Sequence, residues 1–415
     1  MTKRILLISG YYTPEPSGIG KYNGELMQWL AAKGYECGVI TSYPSYPQWK
    51  VAPEYQHKKF FFSDEKHQAG NNAINIYRCP MYVPAKPSGS RRVLQDISFY
   101  VSATMRLLPM MFGKKYDMVL IVAPAFHLGL LGLCYKLTRR ATFVYHIQDM
   151  QIEAARDLGM IKSNWLLKQM FSLEKFIFRK ADMVSSISPQ MVTNIANKAG
   201  KQVNLFPNWV DTKLYYPLPD KAVLKQKFGH PENRKIILYS GAVGEKQGIE
   251  HVLEVARRLH TDNNIHFIIC GSGPYAQILA DKAKADHLTN ISFLPLQPAS
   301  IFNEFLNMAD VHLVLLKSKA SDLVLPSKLT TILAVGGVAV ITANEGTTLH
   351  DLVKNHQVAI SVDADNTDAL EAGIRHALTN ENSVISNNAR QYAEQYLGVN
   401  SIMQQFEEDI LSVSA

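Results

Sequence analysis

Apolar and polar positions along this chain fall into short continuous runs separated by longer stretches of helical spacing. Arg4–Gly10 (Arg-Ile-Leu-Leu-Ile-Ser-Gly) predicts a strand buried on both faces. A loop carrying Pro14, Pro16, Gly18 and Gly20 follows, then an amphipathic helix from about Lys21 to Lys33 and a second strand at Cys37–Thr41. Further strand-like runs occur at Ile74–Arg78, Met118–Ala123, Thr142–Ile147 and Met183–Ile187, with helical patterns between most of them. Val203–Asp211 reads as a last strand running into a turn. Such alternation predicts a mostly parallel sheet covered on both faces.

After the polar, proline-containing segment Tyr216–Asn233 the scheme restarts. Ile236–Gly241 echoes Ile5–Gly10, and strands are predicted at Ile265–Cys270, Ile291–Leu294, Val311–Leu316, Val338–Thr342 and Ala359–Val362. From Ser383 onward the pattern is helical. We therefore expect an α/β chain of two Rossmann-like domains facing a central cleft. The divisions are 1–208, a linker at 209–233, a second domain at 234–382, and helices at 383–415 returning to the first domain.

One stretch stands out, Asp322–Gly337. Pro326 and Ser327 predict a helix start with a capping side chain. Leu329, Ile332 and Leu333 recur at helical spacing, and Gly336-Gly337 ends the helix. A helix N-terminus with Lys328 in its first turn suits a diphosphate; an ordinary helix–strand unit is the alternative.

Charge divides the chain in two. Residues 1–205 hold 26 Lys+Arg against 13 Asp+Glu, and the remainder 17 against 23. A phosphorylated substrate, an anionic membrane or nucleic acid could each answer the basic half. With no zinc knuckle or aromatic RNA-binding repeat, nucleic acid is not expected as a partner. Between Arg91 and Lys115 a mostly apolar helical pattern has basic residues at both ends, which suits a membrane interface or a core helix with polar ends. The apolar stretch Met118–Tyr135 is broken by Pro124 and His127, so a strand and a helix explain it better than a membrane span. The run Ile5–Ile8 is too short for a signal peptide. Cys37, Cys79, Cys134 and Cys270 lack metal spacing and read as buried thiols in a reducing cytoplasm. Asp363-Ala364-Asp365 looks like a metal-binding DxD, but its place between strand and helix predicts a turn and cap.

Ser240–Gly248, Gly271–Pro274 and Pro326–Gly337 together resemble the donor domain of GT-B glycosyltransferases, more narrowly the retaining family 4 type. Gly18–Tyr22, Tyr46–Trp49, His146–Asp149, Gly244–Gly248 and Leu325–Thr330 are similar to the colanic acid fucosyltransferase group within it. The likeness runs nearly end to end. It implies an enzyme without a cofactor that uses a GDP- or UDP-linked nucleotide sugar as donor, GDP-fucose by the narrower likeness, while the lack of any other carboxylate or His cluster predicts metal independence. The implied acceptor is an undecaprenyl diphosphate-linked saccharide in exopolysaccharide or O-antigen assembly, met at the inner face of the cytoplasmic membrane.

The resemblance also assigns roles. His146 and Asp149 fall near the reacting sugar, and Lys246 and Lys328 near the leaving diphosphate. Gly18, Gly20, Gly244, Gln247, Gly271, Gly273, Leu296, Ser327, Leu329 and Thr331 fall on the nucleotide-sugar side. Two departures stand out. Members commonly carry a glutamate pair, where this chain has Leu323 and Thr331, with Asp322 the nearest carboxylate; the usual donor-loop arginine is Ala242. Two other functions fit the same fold. A non-hydrolysing nucleotide-sugar epimerase would need more cleft carboxylates than Asp149 and Glu153, and a sugar-nucleotide-binding protein without turnover would suit the missing glutamates.

Overall fold

The computed structural model describes residues 3–70, 72–86, 88–157, 161, 163–273, 275–318, 326–379 and 381–411. The chain forms two compact units, Met1–Pro207 with Met403–Ala415, and Asn208–Ile402.

The first unit holds eight strands: β1 (Arg4–Ile8), β2 (Glu36–Ser42), β3 (Ser63–Ala69), β4 (Asn72–Cys79), β5 (Met118–Ala123), β6 (Thr142–Ile147), β7 (Met183–Ser186) and β8 (Asn204–Leu205). Their order is β3-β4-β2-β1-β5-β6-β7-β8, parallel throughout except for β3 against β4. In the centre Ile5 of β1 faces Cys37 of β2 and Met118 of β5, and these strands are continuous apolar runs because helices cover both faces. The polar sequence of β3 has no apolar period to predict it. It is an edge whose side chains alternate between partly covered and exposed, and its charges discourage pairing with another chain. Helices α1 (Gly18–Ala32), α2 (Gly89–Met110), α3 (Gly129–Arg139), α4 (Gln151–Asp157) and α5 (Asn164–Lys180) fill the crossovers. Phe99 of α2, Leu131 and Tyr135 of α3 and Ile177 of α5 share one core with Leu6, Val119 and Phe143. A side chain of this size, fully buried, contributes about 1.5–3 kcal/mol.

In the second unit β9 (Lys235–Ala242), β10 (Ile265–Ser272), β11 (Ile291–Leu294), β12 (Val311–Val314), β13 (Ala339–Thr342) and β14 (Ile360–Val362) form an all-parallel sheet. The order is β11-β10-β9-β12-β13-β14. The expected linker at 209–233 is part of this unit, because Val210, Tyr215 and Leu224 are buried in its core. The helix Ser383–Tyr396 also stays here, against the helix Ser327–Ala334. Its Ala389 and Ala393, both 0% exposed, permit close approach, and Arg390 donates to the carbonyls of Ala334 at 2.6 Å and Tyr215 at 2.9 Å. A helix end left with unpaired carbonyls is thereby satisfied. Only the last helical turns join the first unit, where Phe406 packs on Phe206 at 4.4 Å and Tyr35 Oη donates to Glu407 at 2.8 Å.

Candidate functional site

In the second unit the site is built on the end of β9 and the helix Ser327–Ala334. Pro326 occupies the position before that helix, with no side-chain cap, and Ser327 is its exposed first residue. This corrects the expected capping role of Ser327, and it leaves the first-turn amides without a side-chain acceptor. Lys328 turns back over β9. Its Nζ is buried, has no hydrogen-bond partner among the described residues, and lies 3.5 Å from the centroid of the Tyr239 ring. Gly241, with φ at 144°, makes room for it: a Cβ there would sit 3.1 Å from Lys328 Cε and 3.2 Å from Nζ. Burial pulls the ammonium down to about 7. The face of an aromatic ring attracts the charge but does not replace water.

The glycines at the ends of β9 and β10 have a packing reason beside any ligand. A Cβ on Gly271 would lie 1.9 Å from the Gly241 carbonyl oxygen, and one on Gly273 2.1 Å from that of Val243. Gly244 opens the turn Glu245–Gln247, and its Cβ would meet Gln247 Oε1 at 3.0 Å. Gln247 is 9% exposed with Oε1 buried and unpartnered, so the turn carries one polar atom in need of a donor. The Lys246 side chain lies outside the described residues, as do Asp322 and Leu323. Leu296 is 42% exposed in the loop after β11. Leu329 is a core residue whose amide donates to Pro326, so neither its side chain nor its amide is offered to a ligand. The Thr331 hydroxyl donates to the Lys328 carbonyl at 2.9 Å. Asp365 accepts from the Ser318 amide at 3.0 Å and hydroxyl at 2.6 Å, a loop-fixing role. Among the described residues no three His, Cys, Asp or Glu side chains gather as a metal site.

In the first unit α1 begins at Gly18, and Ser17 Oγ accepts from the Gly20 amide at 3.1 Å. A Cβ on Gly20 would meet the Glu15 carbonyl oxygen at 2.8 Å, so the loop closes only over glycine. Buried Glu15 accepts from the amides of Ser45 at 2.9 Å and Tyr46 at 3.3 Å; burial raises its pKa, and those bonds oppose the rise. His146, at the end of β6, is buried with Nδ1 3.0 Å from Ser185 Oγ and its ring edge-on to Phe206. Burial depresses it to about 3, so it is neutral near pH 7. Asp149 lies between β6 and α4. Buried Glu153 is engaged by Lys198, which also holds buried Glu174 at 2.5 Å, so the helix Pro189–Ala199 is tied to both α4 and α5. Sequence reasoning missed the guanidinium of Arg78, 0% exposed, which donates to the carbonyls of Ser42 at 3.0 Å and Thr13 at 2.8 Å. It also missed Tyr239 and Gly241; only the strand-to-glycine repeat at Ile236–Gly241 hinted at them.

Comparison with known proteins bears on both units. Residues 220–396 match the family described as "Glycosyl transferases group 1", and residues 17–209 match the "Glycosyl transferase 4-like domain". The chain is 39% identical, over 98% of its length and 99% of the other's, to "Putative colanic acid biosynthesis glycosyl transferase WcaI" of Escherichia coli (strain K12). Among solved structures, a sucrose-phosphate synthase from Thermosynechococcus elongatus superposes with a TM-score of 0.78 at 16% identity, covering 99% of each chain. HepE of Anabaena, in complex with UDP and glucose, gives 0.69 at 14% identity over 99% of this chain and 100% of that one. At these identities the structural likeness concerns the fold.

Proposed function

The chain belongs to the group 1 glycosyltransferases of the GT-B fold, with a family 4-like first half, and from that premise we propose what it transfers and to what. The enzyme moves a sugar from a nucleotide donor to a lipid-linked saccharide during exopolysaccharide assembly, with retention at the anomeric carbon. The second unit takes the donor and the first unit the acceptor. GDP-fucose is the first donor to test and UDP-sugars the second.

The observation that carries this reading is the Lys328 ammonium, buried over Tyr239 with no carboxylate beside it among the described residues. A desolvated cation without a counterion among the described residues is a site for an anion, and here it lies over the end of the parallel strand β9, beside Gly241. As the bond from the anomeric carbon to the diphosphate breaks, charge grows on the leaving oxygen. A cation already fixed there stabilises that state more than the bound substrate. Asp149 and the Lys246 side chain keep their proposed places near the reacting sugar and the diphosphate. Buried, neutral His146 holds the end of β6 and β7 together through Ser185.

A membrane surface enters through α2. Val93, Ile97, Val101, Met105 and Leu108 of α2, with Phe112 just past its end, repeat at helical spacing, each at least 47% exposed, between Arg91-Arg92 in the first turn and Lys114-Lys115 beyond the last. An apolar stripe with basic ends suits anionic headgroups, where a lipid-linked acceptor resides. No helix among the described residues is long and apolar enough to cross a membrane.

The test is incubation with GDP- and UDP-sugars, with and without membrane-extracted lipid-linked saccharides. Nucleoside diphosphate released in step with a glycosylated lipid is the expected result. An isomerised donor, or binding without release, would overturn the reading.

A further inference from the structure

Trp49 is held in a backbone conformation that large side chains seldom adopt, with φ at 53°. Strain of this kind persists only where the surroundings over-determine it, and it gathers where a side chain must be presented in one place. Tyr46 meets the indole edge-on, with centroids 6.4 Å apart at 78°. The guanidinium of Arg92, in the first turn of α2, lies 4.9 Å from the Trp49 ring. Underneath, Glu15 and Arg78 pin the loops that follow β1 and β2 to each other through the bonds described above.

One turn along α2 from Arg92, the Asp96 carboxylate accepts a bond from Gln151 Nε2 at 3.2 Å. Neither Arg92 nor Asp96 is in a salt bridge among the described residues, although the charge of Arg92 acts on Asp96. Burial also raises the Asp96 carboxyl above its ordinary range. Trp49 and Asp96 are half-buried and Arg92 is exposed, so the group can be reached from solvent. Its members follow the C-terminal ends of β2 and β6 and start the helix after β4, the edge where open parallel sheets bind ligands.

A ring with a guanidinium beside it, and a carboxylate bonded to a carboxamide one helical turn further on, is the chemistry of saccharide recognition. The C–H face of a pyranose packs on the ring, and neighbouring hydroxyls find acceptors and donors. A free phosphate or carboxylate ligand would instead meet the like charge of Asp96. We infer that Trp49, Arg92, Asp96 and Gln151 form the subsite for a sugar of the acceptor, with the indole as platform and Asp96 reading hydroxyls. This rests on the reading of the first unit as the acceptor side.

Saturation-transfer NMR with methyl glycosides of fucose, galactose, glucose and glucuronic acid tests it without a donor. The expected result is transfer to ring protons of at least one glycoside, lost or weakened roughly tenfold in Trp49→Ala. Trp49→Phe should fall between, and Asp96→Asn should weaken binding without altering the melting temperature. Thermal melting of both Trp49 variants separates lost stacking from lost folding. In full turnover, the KM for the acceptor should rise while donor affinity stays within twofold. A wild type that contacts none of the glycosides, or a folded Trp49→Ala that binds them as the wild type does, would overturn the subsite. A wild type that cleaves no nucleotide sugar would count against the proposed function, while the NMR result would still decide the role of Trp49.

Discussion

The Lys328 ammonium sits 3.5 Å from the centroid of the Tyr239 ring, and the ring is the nearest thing it has to a counterion among the described residues. The two residues come from separate elements. Tyr239 lies in β9, two positions before Gly241, and Lys328 lies in the first turn of a helix that packs on the same sheet. Gly241 carries no side chain, so the stem of Lys328 can lie across the strand. The chain thus stores a poorly solvated cation beside a loop of small residues, and three predictions below follow from groups held out of water.

Lys328→Met should lower turnover by roughly a hundredfold, the scale for removing one oriented electrostatic contact. Donor affinity should fall less, because charge on the diphosphate grows mainly as the bond breaks. Steady-state kinetics checks this, and near-wild-type turnover in a folded Lys328→Met protein would move the phosphate site to Lys246.

Nucleoside diphosphate binding should take up a proton. Free Lys328 is held at about 7 against an ordinary 10.5, so at pH 8 it is mostly neutral, and an arriving anion raises its pKa and protonates it. Calorimetry in buffers of different ionisation enthalpy should show close to one proton taken up at pH 8 and much less at pH 6. Lys328→Met should lose that uptake. The same variant should be more stable than the wild type. The penalty of the buried ammonium is complete below about 7 and fades as pH rises toward 10.5, so the stability gap should close over that window.

Acid should destabilise the fold through its buried histidines. His146 and His312 are depressed to about 3 and His266 to about 4, each by burial, from an ordinary 6.5. Their neutral forms contribute stability that is present above 6.5 and lost as pH falls toward the folded values, at about 1.4 kcal/mol per pH unit for each. Urea unfolding of His146→Gln and His312→Gln should show lower stability at pH 7 and a shallower decline between pH 6 and 4.5. A slope equal to the wild type's would place the acid sensitivity elsewhere.

Much of this architecture was legible because parallel strands buried on both faces write themselves as unbroken apolar runs. Met118–Ala123 is all buried, and its apolar run coincides with the strand. By contrast β3 (Ser63–Ala69) carries Asp64, Glu65, Lys66 and His67, and no apolar period marks an edge strand of that kind. The tail divides at Ile402 because Ala389, Arg390 and Ala393 bind a neighbouring helix, and a helical period does not say which surface a helix will meet. At the site, Lys328 could be named from its place in a helix's first turn. Tyr239 beneath it could not, since buried strand tyrosines are ordinary. Leu329 and Thr331 were assigned to the nucleotide, yet Leu329 faces the core and the Thr331 hydroxyl bonds its own helix. Arg78, Arg92 and Asp96 act through loops brought together in space, which spacing along the chain does not reveal.

The outward stripe of α2 makes the last prediction. Val93, Ile97, Val101, Met105, Leu108 and Phe112 lie on the face opposite Phe99, Ala103 and Leu107, which are buried. No described segment of the first unit covers them. Nearby, Arg106 of α2 pairs with Asp64, close after Phe60 and Phe61, which are 76% and 67% exposed and follow Lys58-Lys59. Apolar side chains beside lysines and arginines are the composition of an interfacial surface: the rings and alkyl groups enter the headgroup boundary while the cations meet anionic lipid. If α2 binds in this way, sedimentation with vesicles should rise with the fraction of anionic lipid and fall with salt, since exposed charges are screened over about 8 Å at physiological ionic strength. Val101→Asp with Met105→Glu should abolish binding at every lipid composition, because both the insertion and the charge balance are reversed. Lys115→Glu should reduce binding only on anionic vesicles. Neither substitution touches the buried face, so melting temperatures should stay near the wild type's and nucleotide binding should be unchanged. Vesicle binding that ignores lipid charge, salt and the Val101–Met105 pair alike would assign the stripe to a protein partner instead.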